Sequence, residues 1–382
     1  MRNKMVSGVM AVAALFGGWG MSAASALEFK PNDWLEGLKL KGDIRMRGES
    51  FFKDYNQGQL DRQRLRYRLR YGAEYTLPDN VLLGFQLASG TGEQVSTNQS
   101  FDNLASQPAI WIDLAYVNWK PRDGISLSVG RMKNPFWMPY SADLVWDGDF
   151  NPMGMAESAE YLLAAANVRL FGTMLQMVAD EDSGSTQEQW LFSEQIGAEV
   201  KLPAELRLRL AGSIHSWINE RDGTFSQNAT NEGNRRTTAG VLDNEFNVMQ
   251  WDLELARYFN DIPFSLQGTY VKNLNALEQS LKEDTGYQTG LIVGKAGAKD
   301  RSWEAAYFYK HAETDCTVAD VSDSDFGDGG TNREGHILWV AYSPRTWLQL
   351  KIKYFMTEVV EETLSPSKDD IDRLQLDMQV NF

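Results

Sequence analysis

Five arginines stand at alternate positions of one segment of the chain. They are Arg62, Arg64, Arg66, Arg68 and Arg70, and leucine, tyrosine and alanine fill most of the intervening and following positions as far as Leu77. Successive side chains of a β-strand point to opposite faces, so the pattern predicts a column of guanidinium groups on one face and an apolar, aromatic face on the other. Guanidinium groups bind carboxylates and phosphates. The column therefore predicts a charged wall that lines water.

Two interpretations of this wall remain open. Same-face positions on a strand are about 7 Å apart, so like charges at this spacing repel unless water or acids intervene. Arg45 and Arg47, on the preceding predicted strand, extend the basic wall, and Asp43, Glu49 and Glu74 are nearby acids. The wall either attracts anionic solutes or is a structural ladder neutralised by carboxylates.

The N-terminal residues predict a cleaved secretion signal over residues 1–26. Arg2 and Lys4 precede an apolar stretch from Met5 to Met21, and Ala24-Ser25-Ala26 has the small residues of a cleavage site. The apolar stretch is too short and too rich in glycine for a transmembrane anchor. Residues 27–382 then form a single exported domain.

The C-terminal residues predict a two-faced final strand. From Leu374 to Phe382, apolar residues occupy every even position and polar residues the positions between. Such a strand suits a wall with lipid on one side and water on the other. No stretch after residue 30 is apolar enough for a transmembrane helix, so any membrane span must be made by strands.

Composition excludes several classes of protein. The 382 residues carry a formal net charge of −15, which disfavours nucleic-acid binding. Cys316 is the only cysteine, so an internal disulfide is impossible, and no C-x-x-C-H haem motif is present. We predict neither a cofactor nor a metal site.

Alternately short and long connections join the two-faced segments. Tight turns are predicted at sites such as Pro78-Asp79-Asn80, Pro203-Ala204 and Pro344-Arg345. The fold prediction is all-β: a transmembrane antiparallel β-barrel of about 16 strands, with short periplasmic turns and long extracellular loops. The predicted strands run near 38–49, 62–77, 80–90, 110–120, 125–133, 159–165, 168–179, 189–202, 205–217, 246–259, 263–273, 286–297, 301–311, 335–343, 346–358 and 370–382.

Four motifs together resemble the "putative porin" family of Gram-negative outer-membrane proteins. They are Arg62–Arg70, Gly90–Gln99, Gly130–Trp137 and Leu144–Pro152. The resemblance covers nearly the whole mature chain and is clearest in its first half. It implies a location in the cell outer membrane, contact with outer-membrane lipid and lipopolysaccharide, and a homotrimer.

The resemblance also gives a role to the third long connection, residues 134–158. In porins the third loop folds into the barrel and narrows it. Here aromatics would pin this constriction loop to the inner wall, while its acids, Asp143, Asp147, Asp149 and Glu157, face the arginine column. Asp252 and Glu254, on a later strand, are candidates for the opposite wall. Opposite charges across a narrow lumen would create a transverse field.

The leading function is a water-filled channel for passive diffusion of small hydrophilic solutes, with a preference for anions as a weaker expectation. One alternative is a plugged or partner-filled barrel with a structural or adhesive role. The acidic loop Asp315–Asp328 mildly favours it, and we expect that loop to be solvated rather than to bind Ca²⁺. An outer-membrane hydrolase is less favoured, because no G-x-S-x-G, H-E-x-x-H or P-loop motif occurs.

Overall fold

The computed structural model describes residues 37–53, 61–181, 183–184, 187–221, 233–237, 240–276, 282–364 and 369–382. The predicted signal peptide lies outside these residues, so its removal remains a prediction. Among the described residues, no helix is long and apolar enough to cross a bilayer.

Sixteen long strands and one two-residue strand make up the described fold. They are β1 (Leu38–Lys53), β2 (Arg62–Leu77), β3 (Val81–Ala88), β4 (Gln99–Ser100), β5 (Trp111–Arg122), β6 (Ile125–Arg131), β7 (Met153–Leu163), β8 (Val168–Asp180), β9 (Gln189–Lys201), β10 (Arg207–Ile218), β11 (Asn247–Phe259), β12 (Ile262–Asn273), β13 (Thr285–Gly294), β14 (Ser302–Ala312), β15 (Arg333–Arg345), β16 (Leu348–Glu358) and β17 (Ile371–Asn381).

The sixteen long strands form a closed antiparallel barrel. Each pairs with its neighbour along the chain, and β1 pairs with β17 from Asp43↔Asn381 to Lys53↔Ile371. Gly42 and Phe382 exchange both backbone hydrogen bonds, at 2.9 and 3.0 Å. The short β4 lies in the connection between β3 and β5 and pairs with β2. Closure leaves no free edge among the sixteen long strands that the structure describes, as a sheet exposed to lipid requires.

The predicted strand count and two-faced pattern are confirmed. On β2, Leu65 and Leu69 are exposed on the outer surface, whereas Arg66 and Arg68 are buried inside the barrel. The largest error is at β7, which begins at Met153 rather than near residue 159. The constriction loop is therefore shorter than predicted.

Two of the long connections fold into the barrel. They are loop L3 (residues 132–152) and loop L7 (residues 313–332), and loop L2 (residues 89–110) lies beside them. Apolar side chains of L3 and L7 form a buried cluster with inward residues of β8–β12, including Trp146, Phe150, Val318, Leu191 and Val248. Apolar contacts therefore hold L3 and L7 against β8–β12, and the arginine column of β2 lies on another part of the inner wall.

Candidate pore constriction

The arginine column occupies the inner face of β2. Arg66 and Arg68 are only 8% and 6% exposed, and Arg62, at the extracellular end of the strand, is exposed. Alternation along the strand places these side chains inward because the leucine and tyrosine positions face outward. The predicted column is thus present as a continuous inner wall.

Acids from two other elements neutralise the lower part of this column. Asp43 on β1 accepts hydrogen bonds from Arg68 Nε at 2.8 Å and from Arg70 Nε at 2.6 Å. Asp149 of L3 lies 3.2 Å from Arg70 and 3.9 Å from Arg68. Burial alone would raise the pKa of Asp149, but Arg68 and Arg70 outweigh it and hold the pKa below its usual range. The predicted approach of L3 acids to the column is therefore made by Asp149.

The upper part of the column is paired in a similar way. Glu49 of β1 accepts hydrogen bonds from Arg64 and from Arg373 of β17, the latter at 2.6 Å. Arg47 forms a bidentate pair with Asp377, with Nε–Oδ1 and Nη2–Oδ2 distances of 2.7 and 2.8 Å. Such planar, two-bond pairs fix both partners strongly. These arginines hold the wall together and are not free for solutes.

Asp325, near the tip of L7, inserts between two arginines of the wall. Its carboxylate lies 2.9 Å from Arg47 Nη1 and 2.8 Å from Arg373 Nη2. Burial would raise the pKa of Asp325, but Arg47 and Arg373 prevail and hold it well below its usual value. Arg373 also donates to the backbone carbonyl of Asp325 at 2.7 Å. L7 is thereby tied to the last strand of the barrel.

Sequence reasoning missed both Arg373 and the inward course of L7. Arg373 shares the inner face of β17 with Gln375 and Asp377, so extending the final alternating pattern upstream would have identified it. L7 had no comparable signal, because the contacts that hold it inside the barrel, such as those with Arg47 and Asp147, are with residues distant along the chain.

Among the buried arginines of the wall, Arg45 and Arg66 lack a close carboxylate partner within the described residues. Arg45 donates to Asn98 Oδ1 at 2.6 Å, and its nearest carboxylate, that of Asp377, is 4.0 Å away. Arg66 donates to the Asn98 carbonyl at 3.2 Å and lies 3.8 Å from Glu49. The Nε groups of Arg45 and Arg66 are buried without a hydrogen-bond partner among the described residues. Their charge is therefore the least compensated among the buried arginines of the wall.

Aromatic packing anchors L3 to the opposite wall. Trp146 is 2% exposed, stacks between Phe136 and Phe150, and meets the ring of His215 edge-on at a centroid distance of 5.2 Å. His215 is held in the wall by Ser193 and a glutamine of β11, each at 3.0 Å. The prediction that L3 aromatics pin the loop inside the barrel agrees with this packing.

L3 and L7 are joined directly through Asp147. Its backbone N–H donates to the Val321 carbonyl at 2.8 Å, and its carboxylate accepts the N–H of Ser324 at 2.9 Å. Burial, together with nearby Asp149 and Asp323, raises the pKa of Asp147 well above its usual value. The two loops therefore meet at a carboxyl group that is difficult to ionise.

Three acids of L7, Asp315, Asp320 and Asp323, are buried, which corrects the expectation of a solvated loop over residues 315–328, although Asp328 is exposed. Asp323 is 2% exposed and lies 2.9 Å from Lys310 Nζ, which also approaches Asp143 of L3 at 3.4 Å. Asp315 is 1% exposed and contacts Arg235 at 3.5 Å. Within the described residues, no group of three His, Cys, Asp or Glu side chains could hold a metal ion. L7 is an internal loop with buried ion pairs.

Glu157 does not belong to the constriction loop, contrary to prediction. It lies on β7 and pairs across the sheet with Leu127 and Met174, whose side chains are on the outer face. Its carboxylate accepts a hydrogen bond from Gln176 at 2.9 Å. Glu157 therefore points away from the arginine column.

The two predicted opposite-wall acids have different surroundings. Asp252 is 2% exposed and accepts hydrogen bonds from Thr269 at 2.7 Å and Gln250 at 2.8 Å. Glu254 pairs with Arg207 at 3.1 Å and lines a cavity of about 660 Å³ that also contacts Tyr140 of L3. Of the two, Glu254 borders open space on the side of the periplasmic turns.

The sequence matches the model of a known protein family over most of its length. The model of a family described as "Putative porin" matches residues 52–241 and 216–382. The chain belongs to this porin family. Its fold and family place it in the Gram-negative outer membrane and indicate a channel rather than an enzyme. A comparison with curated protein sequences finds no match.

Solved porin structures share the fold of this porin at low sequence identity. OprB of Pseudomonas putida is 13% identical, with a TM-score of 0.56 over 91% of this chain and 94% of that one. OmpF of Salmonella typhi, solved in complex with daunomycin, is 10% identical, with a TM-score of 0.54 over 91% and 99% of the two chains. At these identities the likeness extends to the fold alone.

Proposed function

We propose that this porin is a passive channel for small hydrophilic solutes, narrowed where L3 and L7 approach the arginine column. One observation carries the proposal: Asp149 of L3 and Asp325 of L7 each reach two arginines of the same wall. Acids on loops and bases on the wall then face each other in a space enclosed by a low-dielectric barrel, where charges act strongly on a passing ion.

A weak preference for anions is part of this proposal, and Arg45 and Arg66 are its source. Most arginines of the column are matched by carboxylates, so their fields largely cancel at a distance. Within the described part of the chain, Arg45 and Arg66 have no carboxylate at hydrogen-bonding distance and so retain more of their field. Selectivity therefore depends on these two side chains, while the paired arginines have a structural role.

Reversal potential in a KCl gradient tests this assignment. The purified chain carrying Arg45→Gln and Arg66→Gln is compared with Arg62→Gln, which removes an exposed charge at the extracellular end of the column. We expect the chloride-to-potassium permeability ratio to fall by about two-fold or more in the double variant and to stay near wild type in the control. An unchanged ratio in the double variant would reduce the whole column to wall structure.

A barrel whose lumen is plugged by L7 is the second candidate function, because much of L7 is buried. Phe326 is fully buried beside Phe355, and Arg333 near the end of the loop is 0% exposed. A loop packed this well could seal the lumen and leave a structural role. Steady single-channel current through the wild-type chain distinguishes the two candidates, because a sealed barrel passes none.

We also propose that the chain assembles as a trimer. Support comes from the wall between β3 and β6, where both strands are short and L2 carries exposed apolar residues. Phe101, Leu104 and Ile110 of L2 are 59%, 104% and 65% exposed. An arm with this composition is stable when a neighbouring subunit covers it. Mass measurement of the chain in lipid nanodiscs tests the stoichiometry.

A further inference from the structure

Three charged side chains lie on the outer, bilayer-facing surface of β6–β9. Arg131 pairs across the sheet with Met153, which is 51% exposed on the outer surface, so Arg131 shares that face. Glu157 and Glu194 flank Met174 on the same face, since both pair with it across β8. Met174 is 47% exposed. Charges on the lipid side of a barrel are unfavourable, increasingly so toward the bilayer midplane.

All three charges lie deep in the hydrocarbon region. Each is six or seven residues from the periplasmic end of its strand, at Ile125 of β6, Leu163 of β7 and Lys201 of β9. With a rise of about 3.3 Å per residue and a tilt near 45°, that distance is roughly 14 Å of height in a belt about 25 Å tall. Arg131, Glu157 and Glu194 are therefore at similar depth, near the midplane.

Contacts within the chain satisfy these charges poorly. Arg131 donates through Nε to the Asp113 carbonyl at 2.9 Å. Glu157 accepts one bond, from Gln176. Glu194 is exposed and has no hydrogen-bond or ion-pair partner among the described residues. A carboxylate that is exposed and unpaired near the bilayer midplane indicates that protein, rather than lipid, covers this face of the barrel.

We propose that a second copy of this chain covers the outer face of β6–β9, with Arg131 of one copy paired to Glu194 of the next. This inference rests on the proposed assembly of several copies and names the contact surface. The basic residue is on one flank of the face, β6, and the acid is on the other flank, β9. In a ring of copies, unlike flanks meet, so the same face supplies both halves of each ion pair.

The surface around Arg131 can receive a neighbouring side chain. Arg131 borders an open cavity of about 500 Å³ on this flank, together with Trp111, Ile112 and Met153. Trp111 and Ile112 are 45% and 59% exposed. Polar residues of L2, among them Ser96, Thr97 and Glu93, also line this cavity, so a polar group can enter it beside the guanidinium. Glu194, between Phe192 and Ile196 on the outer face, is the carboxylate that the next copy brings to it.

Disulfide cross-linking between copies tests the contact. The only native cysteine is replaced by Cys316→Ser, and Arg131→Cys and Glu194→Cys are introduced in separate chains that are mixed during refolding into lipid vesicles. Within one chain, three strand spacings of about 4.8 Å separate these positions, too far for a disulfide. We expect a cross-linked dimer from the mixture and none from either single variant alone.

The matched control pairs Arg131→Cys with Leu291→Cys, which lies on the outer face of β13 and is 36% exposed. Cross-linking equal to this control would overturn the inference. The inference would also be overturned if mass measurement detected oligomers but no Arg131–Glu194 cross-link formed. That result would leave the proposed trimer intact. A monomer by mass would contradict both proposals.

Charge reversal provides a readout that does not depend on cysteine chemistry. Glu194→Arg should lower the oligomer fraction at a fixed protein-to-lipid ratio by about ten-fold, and adding Arg131→Glu should restore it. Lys299→Glu, at an exposed position in a periplasmic turn, is the control for a surface charge change and should leave the fraction unchanged. Failure of the double reversal to restore assembly, with both barrels folded, would exclude this ion pair.

Discussion

Arg373 of the last strand and Asp325 of L7 are joined by an ion pair of 2.8 Å, and the same guanidinium holds Glu49 of the first strand at 2.6 Å. One side chain therefore links the seam where the barrel closes to the loop that fills it. Arg373 is 1% exposed, so the guanidinium depends on these carboxylates rather than on water for its partners. Barrel closure and loop position should consequently respond together when this contact is broken.

The first prediction concerns Asp325→Asn. Removing this carboxylate leaves Arg47 and Arg373 buried with less compensation, and breaking a buried pair costs about 3–5 kcal/mol. We expect the midpoint of heat-induced unfolding in detergent to fall clearly, as followed by gel mobility. Asp300→Asn, which breaks the exposed pair with Arg345, should leave the midpoint almost unchanged, because water screens exposed pairs. Equal effects of the two variants would contradict the proposed tie.

The second prediction uses the native cysteine as a reporter of L7. Cys316, near the start of L7, is fully buried in the apolar cluster, and burial raises the pKa of its thiol, so it should react slowly with a maleimide. Asp325→Asn should speed labelling by about ten-fold or more, because it loosens the loop. Mass spectrometry of timed samples measures the rate. Rapid labelling of the wild-type barrel would show that L7 does not stay docked.

A third prediction follows from the raised pKa of Asp147. Docking of the loops raises the pKa of Asp147, so the docked state is stabilised while this carboxyl group is protonated, at mildly acidic pH. This contribution to the stability of the docked loops is lost as the pH rises from the ordinary carboxyl range through the raised pKa. Asp325 has the opposite shift, so its contribution persists until pH falls below the ordinary carboxyl range. We therefore expect conductance to be lower at pH 5 than at pH 8.

Asp147→Asn should flatten this pH dependence, because an amide does not ionise. Asp123→Asn, in an exposed periplasmic turn, should retain the wild-type profile. Single-channel recordings at both pH values provide the comparison. A profile that survives Asp147→Asn unchanged would assign the titration to another group.

The fourth prediction concerns the aromatic anchor of L3. Trp146→Ala removes a buried indole that packs with Phe136, Phe150 and His215, and such truncations cost about 3–5 kcal/mol. L3 should then leave the wall more often, which increases mean conductance and current noise. Trp347→Ala, at a 52% exposed position near a periplasmic turn, is the matched control and should leave the current steady. Quiet, wild-type currents from Trp146→Ala would contradict the anchoring role.

The barrel could be predicted from the sequence because its main signal is local. Alternation along β2 or β17 depends only on which face meets lipid, and the sixteen long strands follow from it. The predicted start of β7, near residue 159, was too late because the inner positions at the true start carry Gly154, Ala156 and Ser158, which contrast little with the outer residues. An outward Glu157 weakened the pattern further.

The site could be predicted only in part because its pairings are not local. The arginine column was visible as a periodic pattern, and L3 was recognised through its aromatics and its resemblance to porin loops. Asp325 and Arg373 are 48 positions apart along the chain and meet only after the barrel has closed. A cluster of acids such as Asp323-Ser324-Asp325 reads as a solvated loop unless its distant partners, Lys310 and Arg373, are known.

The most direct test of a channel narrowed by L3 and L7 is single-channel conductance in planar bilayers. The purified wild-type chain is compared with a variant in which residues 319–329 of L7 are replaced by two glycines, with heat-modified gel mobility confirming a folded barrel in each. We predict small, steady steps from the wild type and clearly larger steps from the shortened loop. Equal conductance would contradict a role for L7 in the constriction, and a folded wild-type barrel that passes no current would contradict the channel itself.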